Sequence, residues 1–331
     1  MRGYKFMRGD NRKVVIVGCG FVGMSYAYAM VNQGVCDELV LIDIDAKRAS
    51  GEAMDLNHGM AFSPSHMKIR SGGYDETSDA DIVVIAAGVG QKPGETRIDL
   101  LGRNAKIFES VVGETLKAGF SGIFLVATNP VDIMTNIVLK LSGFPKNRVI
   151  GSGTTLDTAR LRFVLGEYFG IDPRNVHAYV IGEHGDSEFV PWSQALLATK
   201  SVESVCRDKP EKFDFEEVKA LGENVKNAAY QIIEAKRATY YGIGMALTRI
   251  TKAIFADERS VLTVSAYLNG EYGKSGVCIG VPCMIGRDGI IGHINLELRP
   301  EELEKLGNSC DFLIDTAKQL DIKPISYNLS F

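Results

Sequence analysis

The chain has 331 residues, 45% of them hydrophobic and 24% charged, with a formal net charge of −4. That is room for two domains of ordinary size in a globular composition, with no bulk attraction to nucleic acid or an anionic membrane. No apolar run is long enough to span a bilayer, and the basic start Met1-Arg2-Gly3-Tyr4-Lys5-Phe6-Met7-Arg8 lacks the apolar core of a signal peptide.

Residues 1–11 read as a short flexible arm. Lys13-Val14-Val15-Ile16-Val17 then reads as a buried strand running into Gly18-Cys19-Gly20-Phe21-Val22-Gly23, a G-x-G-x-x-G pattern. A helix follows from about Phe21 to Gln33, stopped by Gly34. The first glycine permits a tight turn, the second lets a pyrophosphate approach, and the third lets the helix pack on the strand. The helix start presents unpaired N–H groups to phosphates. The next strand, from Glu38, ends in Asp43, about where a ribose-binding acid belongs. A carboxylate there accepts bonds from a ribose diol and repels a 2′-phosphate. This favours NAD over NADP, although Lys47 and Arg48 close by soften the exclusion. Met24, Met30 and Met54 read as core packing.

Continuous apolar runs at 81–88 and 122–130, separated by a helix over about 99–117, have the pattern of strands buried on both faces of a parallel sheet. The fold class is therefore α/β, with a doubly wound domain over 12–151. Its ligand belongs beyond the carboxyl ends of the strands, where Gly88, Asn129 and Pro130 fall. The second half, 152–331, alternates differently. Strands are expected at 175–181, 277–285 and 289–298, and helices at 156–169, 215–238, 244–255 and 300–320. That predicts an α+β substrate domain, with a charged surface loop at 207–215 and the segment 239–253, carrying Gly242 and Gly244, against the cofactor.

Two short motifs in this half carry chemistry. Gly182-Glu183-His184-Gly185-Asp186 sets a histidine between glycines, and Asp157-Thr158-Ala159-Arg160 sets a carboxylate and a guanidinium on one helix face. A histidine, an aspartate to orient it and an arginine to grip a carboxylate make a proton-transfer site for an acidic substrate. His58, His66 and His293 stand outside any constellation and read as structural or surface residues. The six cysteines have no framework spacing and form no metal pattern with a histidine pair, so they read as reduced thiols of a cytoplasmic protein without a metal. Asn328-Leu329-Ser330 matches a glycosylation pattern that has no use without a secretory signal.

With these residues together, the chain closely resembles the L-lactate/L-malate dehydrogenase family, its lactate dehydrogenase branch in particular. The motifs run in the family's order from about residue 12 to the C-terminus. The resemblance implies a Rossmann-type domain that binds NAD through Gly18, Gly20, Phe21, Val22, Gly23, Asp43, Gly88, Asn129 and Ile243. It implies His184 as acid/base, Asp157 as its partner and Arg160 as the clamp on the substrate carboxylate. Arg97, in Gln91-Lys92-Pro93-Gly94-Glu95-Thr96-Arg97, matches the arginine of a loop that closes over the site. Asn129, Thr239 and Ile243 match residues lining substrate and nicotinamide. Gln91 matches the position facing the substrate's variable group. A neutral side chain there would leave a second carboxylate unpaired, so pyruvate and L-lactate are the expected pair. A malate dehydrogenase and an L-2-hydroxyisocaproate-type dehydrogenase are the neighbouring alternatives, and a non-catalytic NAD-binding protein is the alternative from another class. The resemblance also places Arg162 and His177 at an anion site between subunits of a homotetramer, where fructose 1,6-bisphosphate binds in allosteric members. The competing reading is an ordinary surface arginine and a core histidine.

Overall fold

A strand reading Lys-Val-Val-Ile-Val has to be covered on both faces, and β1 (Lys13–Val17) is buried at every position in the computed structural model, which describes residues 12–90, 94, 96–320 and 322–325. From it the chain alternates through α1 (Phe21–Gln33), β2 (Glu38–Ile42), α2 (Ala46–Gly59), β3 (Lys68–Ser71), β4 (Ile82–Ile85), α3 (Arg97–Lys117), β5 (Ile123–Val126), α4 (Val131–Ser142) and β6 (Val149–Gly151). These strands pair in parallel in the order β3-β2-β1-β4-β5-β6. This is the doubly wound arrangement, and the strand order reverses between β1 and β4, which opens a crevice beyond their carboxyl ends. Gly34 closes α1 in the left-handed conformation, its N–H bonding the carbonyls of Met30 and Val31.

The second half supplies α5 (Thr155–Phe169), β7 (Val176–His177), β8 (Leu196–Leu197), β9 (Lys200–Ser201), α6 (Val202–Asp208), α7 (Phe215–Asn224), α8 (Asn227–Lys236), α9 (Tyr241–Phe255), β10 (Ser260–Asn269), β11 (Ser275–Gly286), β12 (Gly289–His293) and α10 (Pro300–Lys318). β10, β11 and β12 form an antiparallel meander, and β10 joins β6 through Ser265 and Gly151. One nine-stranded sheet therefore runs across both halves. A separate apolar cluster around Leu161, Leu165, Val176 and Val218 sits under the small sheet β7-β8-β9.

Several expectations need correction. The expected strand at 175–181 shrinks to β7, because side chains of α5 and of the residue that caps it take the backbone beyond: Thr158 Oγ1 accepts from Val180 N at 2.9 Å, and Thr154 Oγ1 donates to Val180 O at 2.6 Å. The single helix expected over 215–238 is two, α7 and α8. At the junction Val225 N bonds Gly222 O and Ala228 N bonds Val225 O, each at 3.2 Å, a tightening to i→i+3 that breaks the α-helical run. The last strand ends at His293; Ile294 N makes one more bond to β11, at Pro282 O, and Leu296 N then turns to the Tyr272 hydroxyl instead. Met30 is fully buried and Met24 packs at the core margin, but Met54 is 57% exposed and is not a core residue.

Candidate active site

The glycines of the first turn have separate physical reasons. Gly18 has φ +107°, and a Cβ there would lie 2.5 Å from Ala87 N at the end of β4. A Cβ on Gly23 would lie 2.0 Å from Gly18 O. Gly20 is different, since a Cβ there meets nothing within 4 Å. The turn is thus packed tight on its protein side and open at the residue that caps α1, which is the shape a pyrophosphate needs. Phe21 and Val22 open the helix, and the Phe21 ring, 65% exposed, stacks on Tyr240 at 5.1 Å. Asp43 follows β2 with one carboxylate oxygen accepting from Cys19 N at 2.7 Å and the other from Asp45 N at 2.9 Å. The residues present fit a dinucleotide.

These differences make a prediction. Gly18→Ala is expected to lower stability by about 2 kcal/mol or more, since it combines left-handed backbone with overlap against β4. Gly20→Val should leave the melting temperature near that of the parent yet abolish NADH binding. Thermal melts and NADH fluorescence titrations of the two variants separate the roles, and loss of stability in both would contradict the open turn.

The residues expected to transfer the proton come from α5 and from a loop that rests on β11. Asp157 and Arg160 lie one turn apart on α5, and Arg160 donates to Asp157 Oδ1 at 2.8 Å. The other oxygen, Oδ2, lies 2.6 Å from His184 Nδ1. His184 sits on a loop whose two arms pair at Ile181 and Phe189 and whose base pairs with β11 at Gly182 and Gly280. A Cβ on Gly280 would press on Gly182 O at 2.8 Å and on Thr154 Oγ1 at 2.7 Å, so the loop rests directly on β11. Asp157 is 1% exposed, Arg160 14% and His184 25%, which leaves the imidazole one open side.

Burial alone would raise the Asp157 pKa, but the charge and hydrogen bond of His184, with Arg160 behind them, outweigh it and hold the carboxyl below its usual range. Burial likewise disfavours a charged His184 ring, but Asp157 first and Glu188 second outweigh it and push the imidazole well above its ordinary value.

Two further acids join this arrangement. Asp132, in the first turn of α4, accepts from His184 N at 2.8 Å and from Ser265 Oγ at 2.5 Å. Burial lifts its carboxyl to about 6 against those two bonds. An acid at a helix start looks in sequence like an ordinary dipole partner. Its nearness to Asn129-Pro130 was the available signal. Glu188 places Oε2 at 3.8 Å from His184 Nδ1, and because both lie on a loop no periodicity in the sequence marks the pair.

The remaining site residues are more dispersed. Gly88 and Asn129 lie exposed beyond β4 and β5, and Thr128 Oγ1 ties the two ends by donating to Ala87 O at 2.7 Å. Thr239 lies half-buried between α8 and α9, and Ile243 packs against the core from the first turn of α9. The glycine beside it lets α9 approach α1, since a Cβ on Gly244 would lie 2.7 Å from the Ser25 backbone. Gln91 lies outside the described residues. Arg97 is described only as the first residue of α3, a helix capped by Thr96 and Asp99 in a reciprocal pair. Arg162, half-buried, donates from Nε to Ala178 O at 3.2 Å and lies over the Tyr179 ring. His177 is exposed on β7, not a core residue.

An open glycine turn at the start of α1, in one molecule with a carboxylate-anchored imidazole and a guanidinium, suits one class of protein, the dinucleotide-dependent oxidoreductases of acidic substrates. The chain belongs to the lactate/malate dehydrogenase family: residues 12–151 match the NAD binding domain of lactate/malate dehydrogenase, and residues 154–321 match its alpha/beta C-terminal domain. It is similar to L-lactate dehydrogenase 2 of Bacillus cereus, 54% identical over 309 residues that cover 93% of this chain and 98% of the relative. L-lactate dehydrogenase of Bacillus velezensis is 54% identical over 92% of this chain and 95% of its own length. Among solved structures, a lactate dehydrogenase from a Medee basin deep-sea metagenome library aligns with a TM-score of 0.92 at 53% identity, over 93% of this chain and 98% of that one. The minor L-lactate dehydrogenase of Enterococcus mundtii in its ligands-bound form aligns with a TM-score of 0.92 at 48% identity, over 95% and 99%.

Proposed function

We propose that this chain interconverts pyruvate and L-lactate, with residues 12–151 holding NAD and residues 152–331 carrying the substrate machinery. The observation that carries the reading is Asp157, one buried carboxylate that holds an imidazole with one oxygen and a guanidinium with the other. Bound NADH supplies the hydride. His184, its Nδ1 committed to Asp157, keeps Nε2 for the substrate: protonated, it gives a proton to the keto oxygen, and neutral, it takes one from lactate. Arg160 offers the planar fork that a carboxylate accepts in two parallel bonds. Arg97 polarises the keto oxygen as charge builds there. Oxidation of NADH on adding pyruvate, followed by absorbance, tests the reading. No turnover with any 2-keto acid would leave the non-catalytic alternative standing, and a preference for branched keto acids would favour the L-2-hydroxyisocaproate-type one.

Substrate choice rests on Gln91. The kcat/KM for pyruvate should exceed that for oxaloacetate, and Gln91→Arg should move the ratio toward oxaloacetate by about ten-fold or more, because the arginine pairs a second carboxylate otherwise buried alone. A parent that already prefers oxaloacetate would support the malate alternative.

Among the described residues no helix is long and apolar enough to cross a membrane. We place the protein in the cytoplasm as a homotetramer, and Arg162 with His177 at an anion site on its two-fold axis, taking the phosphates of fructose 1,6-bisphosphate. The sugar phosphate should then lower the KM for pyruvate and favour the tetramer, and Arg162→Gln should abolish both effects. Kinetics and sedimentation with and without it decide; no change in the parent rejects the regulatory role.

A further inference from the structure

We propose that Glu188 is a positioning residue for the acid/base, a second carboxylate set behind the His184 ring that keeps the ring protonated at a pH where Asp157 alone would let the proton go. The inference rests on His184 being the proton donor.

The geometry is specific. Phe189 returns alongside Ile181, each giving its N–H to the other's carbonyl at 2.9 Å, and this folds the arm so that the preceding Glu188 points back beneath the histidine. Glu188 Oε2 stands 3.8 Å from Nδ1, while the Nδ1 hydrogen bond itself goes to Asp157 at 2.6 Å. At that distance Glu188 does not compete for the hydrogen bond, but it is well within reach as a charge. The carboxylate oxygens of Asp157 and Glu188 and the imidazole nitrogen lie within 4.8 Å of one another. Glu188 is only 5% exposed, and among the described residues no lysine or arginine stands at ion-pair distance from it. Such a carboxylate is costly unless the imidazolium compensates it.

The charged groups around it come from every side. Asp157 and Arg160 face it from α5, and Glu223 and Lys226, at the α7–α8 junction, line the narrow cleft that it shares with Val180 and Gly222. Asp132 holds the backbone side of His184 from α4. Burial lifts the Glu188 carboxyl to about 7, with Asp157 adding to the rise and His184 and Arg160 opposing it. Below that pH Glu188 carries its own proton and Asp157 acts alone. Above it, the Glu188 charge appears where the ring would otherwise begin to lose its proton, so reduction of the keto acid persists to higher pH.

The test is the pH profile of kcat/KM for pyruvate over about pH 5 to 10, in the parent, Glu188→Gln and Glu188→Asp. In Glu188→Gln the alkaline limb should move down by about one pH unit, the shift expected of one lost neighbouring charge. The acid-side profiles should converge, and the NADH dissociation constant should hold. Glu188→Asp, which keeps the charge, should recover part of the shift. A merely structural role would lower the melting temperature and kcat at all pH values while leaving the limb in place, and that result overturns the proposal. If Glu188→Gln does not fold, the His184 ring resonances of the parent decide. They should show a step near pH 7, where Glu188 titrates, before the ring's own titration, and a single step overturns the proposal. His184→Asn separates the two layers: if it stays active, the acid/base reading itself fails, whereas an inactive variant beside an unmoved limb in Glu188→Gln removes this inference only.

Discussion

His184→Asn is expected to lower kcat for pyruvate reduction by about 10³- to 10⁴-fold, the upper range for losing a positioned acid/base. Asparagine keeps a polar group facing Asp157 but has no proton to cycle near neutral pH. NADH should bind as before, because the residues expected to hold the dinucleotide are in the turn after β1, Asp43, Gly88, Asn129 and Ile243, not in the loop between Ile181 and Phe189. Steady-state kinetics and NADH fluorescence titration of the same preparation provide the check. Near-parental activity would remove His184 from the mechanism, and joint loss of NADH binding and thermal stability would point to misfolding instead.

For Asp157→Asn the expectation has a kinetic and a thermodynamic part. The kinetic part is a fall of about 10²-fold or more in kcat/KM for pyruvate, together with an alkaline limb shifted to lower pH, because the imidazolium loses its nearest counter-charge. The thermodynamic part follows from the two displaced pKa values. Asp157 is held below its usual range, so its contribution is present above the ordinary aspartate pKa and is lost as pH falls through the depressed value. His184 is raised, so its contribution is complete below the ordinary histidine pKa and is lost as pH rises through the raised value. Both contributions are complete between about pH 4 and 6.5, where the parent should exceed the variant by about 3 kcal/mol, and the gap should narrow on either side. Melting temperatures taken from below pH 4 to well above pH 6.5 check the sign, and a gap that does not narrow on either side would mean that the carboxylate only fills space.

Much of this was legible because the relevant signals are local. β1, β2, β4 and β5 are short apolar runs, and Asp157 and Arg160 meet by helical spacing alone. β3 carries no such signal because Ile69 is its only buried residue, and β10 carries none because it buries Thr263 and Ser265, polar side chains that interrupt the apolar pattern. Those hydroxyls are satisfied by groups more than a hundred residues away: Thr263 Oγ1 donates to Thr154 O and Ser265 Oγ to Asp132. Asp132 and Glu188 were illegible for the same reason, since what makes each more than a solvated acid is a partner brought by the tertiary fold. The break between α7 and α8 has no proline to announce it and shows only in its bonding.

Ser265 belongs to the strand that sutures the two halves of the sheet, and through Asp132 it also holds the backbone of the histidine. The two halves are therefore not interchangeable cassettes. A chimera spliced at residues 151 and 152 would have to reproduce the edge that β6 offers β10, the Asp132 carboxylate that accepts from His184 N and Ser265 Oγ, and the notch at Gly244 that admits α1. A mismatch at the first leaves an open strand edge prone to self-association, and one at the second unseats His184 without a change in the histidine itself. Grafting a new substrate half onto this coenzyme half is consequently a problem of joinery in the central sheet before it is one of pocket design.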